Sequence, residues 1–367
     1  MAIVLAALAV LLLALLWIVN SFFFESAVRH VFGVLEQRSG VTADCEGIDG
    51  SLFSGKLALR DCQFARATHP ISTFDLSVEE VTVDLRMTSF LTTATFETAA
   101  VTGLTGWVVK APAPAEDDGA GEAQIEKPRR DFVIHQLALF DADVAVSGTN
   151  GDGNAYTLAV RVDTLSSAPL RSRMALFDIL FRSNGSGHIA NAPFSLASRK
   201  TPGEGRETQW RATGLPVASL GAASGGILSW FSSGVVDVYV DDQWALSGGA
   251  DIDMDWRLDF HRLEVAIPQD TGPLTQLVSD PFVRYVNGFD GEFPLEFSMR
   301  LNDRQFEYKA SLQAAGLWGA LGESVNAVVR ELSLVPTDAD ATGNALKEGA
   351  MSVLERLRRG GKDEKPQ

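Results

Sequence analysis

The run Asp251-Ile252-Asp253-Met254-Asp255 opens like a calcium loop, with a carboxylate at every second position. Such a loop then needs a glycine for its sharp turn and a bidentate glutamate at its twelfth place. Here Trp256 follows, and the twelfth residue is Arg262. Three carboxylates on one side of a strand stand about 7 Å apart and read more simply as its wet face. The five histidines (His30, His69, His135, His188, His261) are isolated, with no second histidine at ligand spacing. Gly185-Ser186-Gly187 and Gly221-Ala222-Ala223-Ser224-Gly225 lack the spacing of a nucleophile elbow. No phosphate-cradling loop or dinucleotide fingerprint occurs. The expectation is a protein that is not an enzyme and holds no metal or cofactor. A hydrolase would need a nucleophile and base brought together from distant parts of the chain.

The two cysteines are too few for a disulfide scaffold or a common zinc site. Cys45 and Cys62 flank a hairpin turn expected near Phe53-Ser54-Gly55. Pairing them puts the turn midway, and Ala43 and Phe64 then share their face. A cross-strand disulfide and a pair of small buried hydrophobes both fit. A disulfide would place the domain in an oxidising compartment. The net charge of −16 argues against nucleic acid and against broad adhesion to anionic lipid.

The elements that must carry any site follow from the apolar pattern. Residues 1–24 hold no charged side chain, and Ala2 to Val19 is unbroken apolar sequence. About 20 helical residues cross a ~30 Å hydrocarbon core. No basic n-region or small-x-small cut site marks a cleaved signal, so a retained membrane anchor is expected over 1–24. An amphipathic helix is expected over 25–40, with Val28, Val31, Phe32 and Leu35 at helical spacing and Gly40 as its stop. The period then changes to two. Leu57 and Leu59 alternate with polar neighbours, as do Phe74, Leu76 and Val78. The phase slips at Glu79-Glu80 before Val81, Val83 and Leu85, as it does at a β-bulge.

Residues 41–110 thus form a first β part, and 111–131 an acidic, Pro/Gly-rich insert or linker. The main β part is expected over 132–313. Ala175, Phe177, Ile179 and Phe181 alternate as a strand, and Gly214 to Phe231 reads as a short helix. Ala250 to His261 alternates strictly, with Ile252, Met254, Trp256, Leu258 and Phe260 on the dry side. Phe293, Leu295, Phe297 and Met299 repeat the pattern, and Phe306, Tyr308, Ala310 and Leu312 do so again. Helices are expected over 314–335 and, with a basic end, over 344–359; 360–367 is a frayed tail. The fold class is mainly β, a long twisted antiparallel sheet with one apolar face and short helices at both ends. That face must be covered by another sheet, a partner or lipid. A self-closed sandwich is the plain alternative.

A short helix ending Arg38-Ser39-Gly40-Val41 is followed by Gly50-Ser51-Leu52-Phe53-Ser54-Gly55-Lys56-Leu57-Ala58-Leu59-Arg60-Asp61. With the phrase at Leu137 to Val146, this resembles the start of AsmA-like envelope proteins, within the repeating-β-groove, or bridge-like lipid-transfer, superfamily. The resemblance is best over 1–110. It implies a sheet curled into an open groove that holds acyl chains. It implies a single-pass inner-membrane protein with its β domain in the periplasm, serving phospholipid movement, outer-membrane biogenesis and envelope integrity. Its implied ligand is bound phospholipid, and its partners are the bilayer, lipid and an envelope protein. On this reading the groove wall is Ile252, Met254, Trp256, Leu258, Phe260, Phe293, Leu295, Phe297 and Met299. The alternative is an anchored scaffold docking a partner complex through the stripe Leu346 to Leu357, a helix more simply packed over the open end of the sheet.

Overall fold

A computed structural model describes residues 24–51, 54–68, 72–85, 94–110, 131–150, 153–202, 205–225, 229–245, 251–265, 283 and 291–308. The expected anchor (save Phe24), most of the acidic insert and the two C-terminal helices lie outside these residues. No helix among the described residues is long and apolar enough to cross a membrane.

Strict alternation of apolar side chains builds strands here, because one face of each ribbon is thereby dry. They are β1 (Thr42–Ser51), β2 (Lys56–Arg66), β3 (Ser72–Leu85), β4 (Ala94–Lys110), β5 (Phe132–Thr149), β6 (Ala155–Ser167), β7 (Leu170–Arg171), β8 (Ser183–Ile189), β9 (Ala192–Thr201), β10 (Gly205–Pro216), β11 (Phe231–Ala245), β12 (Asp251–Val265) and β13 (Phe293–Asn302). All belong to one sheet that runs in chain order from β1 to β13, with the short β7 paired beside β5. The sheet is open, with β1 and β13 at its ends. The sandwich alternative therefore fails, for the described strands form no second layer. Helix α1 covers residues 24–39, α2 is Ala175–Arg182 and α3 is Val217–Ser224.

Three expectations need correction. The sheet is not antiparallel throughout: β4 and β5 are parallel, from Ala94 beside Phe132 to Val109 beside Ser147. A parallel pair needs a long crossover, and the chain between these strands is where the acidic insert lies. The segment 175–181 is helix α2, not a strand. Its apolar residues also satisfy helical spacing: Phe177 and Phe181 meet at 5.1 Å between ring centroids, and Asp178 reaches Arg182 four residues on. Beyond β13 the chain turns through a short 3₁₀ helix, Asp303–Phe306, capped by Asn302, and Phe306 enters the core instead of opening a strand.

The expected bulge at Glu79 is one of a line. In successive registers Asp61, Glu79, Gly103, Asp141 and Asp163 are all passed over, while residues on either side remain paired. Asp61, Gly103 and Asp141 adopt positive φ (47°, 67° and 51°), a conformation open to Gly and tolerated by Asp. The passed-over residue shifts the two-residue period by one. The apolar set Leu57 and Leu59 therefore continues as Cys62 and Phe64 on the same side, and Leu137 and Leu139 continue as Ala142, Val144 and Val146.

Candidate functional site: the apolar face and the polar row beneath α2

Register places one apolar side chain after another on a single face of all the long strands. Two patches of it are covered. Near β1 to β3, Cys45, Leu59, Cys62 and Val78 are buried, with Val28 and Phe32 of α1 packed over them. Near β10 to β13 a larger core gathers Val236, Val240, Ile252, Met254, Leu258 and Phe260 under Phe177 and Phe181 of α2 and Phe306. Phe177 meets Trp244 edge-on at 4.9 Å, and Phe181 meets Trp210 at 5.4 Å. Between these patches no described helix covers the face, and its side chains are only half-buried. Phe74 and Leu76 on β3, Val108 on β4, Val144 and Val146 on β5, and Leu158 and Val160 on β6 are cross-strand neighbours, and none of them is buried.

A row of polar side chains crosses the same face beneath α2. Ser167, Ser183, Ser198, Thr208 and Asp242 come from β6, β8, β9, β10 and β11, and all are buried. Four of them hold the helix. The hydroxyls of Ser167 and Ser183 donate to Asp178 O, each at 3.2 Å. Those of Ser198 and Thr208 donate to Phe181 O at 2.9 and 2.8 Å. Phe181 lies in the last turn, where helix carbonyls lack intrahelical donors, so there the sheet supplies them. The helix in turn carries Asp178, fully buried, whose Oδ2 accepts from the backbone and Nε of Arg171 at 2.8 and 3.0 Å and whose Oδ1 accepts from Nη2 at 2.7 Å. Arg182 adds an ion pair at 3.3 Å from Asp178 Oδ1. Burial, then repulsion from Arg171, brings the Arg182 pKa down to about 10.

Asp242 is the exception in the row. It is 1% exposed, and apart from a weak interaction with Thr208 its carboxylate has no hydrogen-bonding partner among the described residues. Thr208 stands opposite it on β10, but that hydroxyl is turned to Phe181 O. Desolvation pushes the Asp242 pKa up to about 8 against the smaller opposing pull of Thr208. The group is therefore neutral near pH 7.

Of the residues expected to wall a groove, Ile252, Met254, Trp256, Leu258, Phe260, Leu295, Phe297 and Met299 do share one face. All eight are buried and packed with other side chains of this protein. Phe293 pairs with Phe260 at the end of β13. Asp251, Asp253 and Asp255 bond Asn302, Arg300 and Ser298 across to β13, as a solvated side does. Among the described residues no cluster suits a metal ion. Cys45 and Cys62 are directly paired and joined as a disulfide. His261 is less isolated than its sequence position implies. Its Nδ1 lies 2.7 Å from Glu292, and that hydrogen bond raises its pKa. A cleft on the polar face holds Tyr239 between the guanidinium groups of Arg211 and Arg257. Both arginines are already paired, with Asp241 and Asp259, so the cleft offers no unmet charge. Sequence reading missed the polar row and α2. The available signal was Asp242 itself, which falls on the dry side of the alternation Val236, Val238, Val240.

No curated protein matches this chain. A family model, described as yeast mitochondrial distribution and morphology (MDM) proteins, matches residues 54–245. The match runs from the β1–β2 turn to the end of β11 and takes in α2, the polar row and the uncovered stretch. It overturns the AsmA-like assignment, whose phrases are a hairpin turn leading into a strand at Gly50 to Asp61 and one bulged strand at Leu137 to Val146, patterns that β-sheet physics repeats outside any one family. The expectations of an envelope protein in the bacterial inner membrane with a β domain in the periplasm, of lipid transfer serving the outer membrane, and of an anchored scaffold docking a partner complex through the stripe Leu346 to Leu357 fall with it. Matched over more than half its length, the chain belongs to the family of yeast mitochondrial distribution and morphology (MDM) proteins.

Proposed function

We propose that this chain works without catalysis in maintaining the form and distribution of a membrane-bounded compartment, and that it does so in contact with phospholipid. The first half of the reading comes from what the family's name says of yeast mitochondria. The second half rests on one observation, the half-buried apolar stretch across β3 to β6 that no described helix covers. Seven apolar side chains, Phe74, Leu76, Val108, Val144, Val146, Leu158 and Val160, stand together there without being buried. Contiguous half-buried apolar surface that no described residue seals marks a site that something else covers. Acyl chains suit it, because each methylene removed from water is worth about 0.8 kcal/mol and needs no polar partner.

The test is lipid recovery. Full-length protein taken from a membrane fraction should carry phospholipid, detected by mass spectrometry under native conditions. Introducing charge by Val146→Asp together with Val160→Asp should abolish recovery while the far-ultraviolet circular dichroism stays unchanged. Wild-type protein that carries no phospholipid, or a folded double variant that carries as much, would overturn the proposal.

A further inference from the structure

We propose that Arg182, Arg206 and Trp244, with Lys200 at the rim, form a binding site for a phosphate-bearing anion beside the end of α2. The chain has a net charge of −16, yet it gathers cations here. Arg171 and Arg182 both face Asp178, and Asp178 also acts on Arg206. Lys200 stands directly opposite Arg206 in the β9–β10 register, a like-charged cross-strand pair that costs stability unless an anion joins it. Asp178 is already engaged by Arg171 in a bidentate pair and a backbone hydrogen bond.

The donors converge on one indole. Arg182 lies over the Trp244 ring at 5.0 Å, and Arg206 is the cross-strand neighbour of Trp244. Arg206 Nε and Trp244 Nε1 are buried and have no hydrogen-bond acceptor among the described residues, and Arg182 Nε has only its 3.3 Å ion pair with Asp178 Oδ1. Asp303 also acts on Arg182 but supplies no acceptor to any of the three. Buried N–H groups are seldom left unmet, since each such group forfeits its hydrogen bonds to water. The buried N–H groups of Arg206 and Trp244, with the Arg182 guanidinium beside them, fit a tetrahedral oxyanion with several acceptor oxygens. A phosphate ester of a lipid headgroup and free phosphate share that chemistry.

The experiment uses the full-length protein in two arms. Inorganic phosphate is titrated calorimetrically at constant ionic strength, with chloride as the control. Flotation then compares vesicles of phosphatidylcholine alone with vesicles that also contain phosphatidic acid. Arg206→Gln should weaken phosphate-dependent binding about tenfold or more, the loss of one charge-assisted contact. Lys200→Gln, at an exposed position, should weaken it in the same direction and serves if the Arg206 variant misfolds. Phosphate binding in the first arm assigns the site to a free anion. Binding confined to phosphatidic acid vesicles and lost in the variants assigns it to a headgroup. Binding in neither arm, or binding that both folded variants keep, overturns the site. The phosphate arm involves no acyl chain, so its outcome is independent of the valine variants that test lipid contact.

Discussion

Asp242 shows how one residue can set a pH dependence. Its carboxyl titrates near pH 8 in the folded chain and near 3.9 in an unfolded one. Between those values the folded protein holds a proton that the unfolded chain has released. Stability contributed by this group is therefore fully present below about pH 4, falls as pH rises and levels off above about pH 8. Asp242→Asn keeps the shape and removes the titration. Its thermal midpoint should vary less across this window than that of the wild type. At pH 8 and above the variant should be the more stable by about 1–3 kcal/mol, the cost of an unmet buried polar charge. Midpoints measured between pH 5 and pH 9 check this, and parallel curves for the two proteins would refute it. The anomaly was legible, since an aspartate occupied a dry position between Val240 and Trp244. Its surroundings were not. Ser167, Ser183, Ser198 and Thr208 come together only through pairings across four strands, and as single residues they look like ordinary surface positions.

At the scale of elements, alternation was a sound guide to strands and a poor one to a short helix. Segment 175–182 carries apolar residues at Leu176, Phe177, Ile179, Leu180 and Phe181, which fits either period. The sheet decided between them, by offering four hydroxyls to the helix carbonyls and a slot for Phe177 and Phe181. The β1–β2 hairpin was the opposite case. Cys45 and Cys62 were equidistant from the turn, so a single register paired them. The bond closes a loop between residues 17 apart in sequence, which in the chain-entropy account is worth about 3 kcal/mol. Reduction, or replacement of both cysteines by alanine, should therefore speed hydrogen exchange in β1 and β2 by about a hundredfold. Exchange in β11 to β13, which have their own core, should change little. Equal loss of protection in both regions would show that the hairpin is not a separate unit of stability.

At the scale of the whole molecule, the bulge line makes β2 to β6 present one apolar side along their full length. Without it, strands of 11 to 18 residues such as β2, β4 and β5 would turn half their apolar residues outward. This is also why a motif read as a family signature was less specific than it looked. Leu57-x-Leu59-x-Asp61 and Leu137-x-Leu139-x-Asp141 each place two dry positions before a residue that tolerates positive φ. The shape of the sentence is thus physical, and the family match had to come from the longer span of 54–245. Gly103 tests the line most directly, because it is the glycine member and has φ of +67°. A Cβ there would also overlap the side chain of Glu79 on β3. Gly103→Ala should destabilise by more than the roughly 1–2 kcal/mol that left-handed backbone costs an ordinary residue. Adding Glu79→Ala should relieve the overlap and leave the backbone cost of roughly 1–2 kcal/mol in place. Urea unfolding of the two variants separates these contributions. If Gly103→Ala proved neutral, the passed-over residues would be incidental, and the phase of each long strand would need another cause.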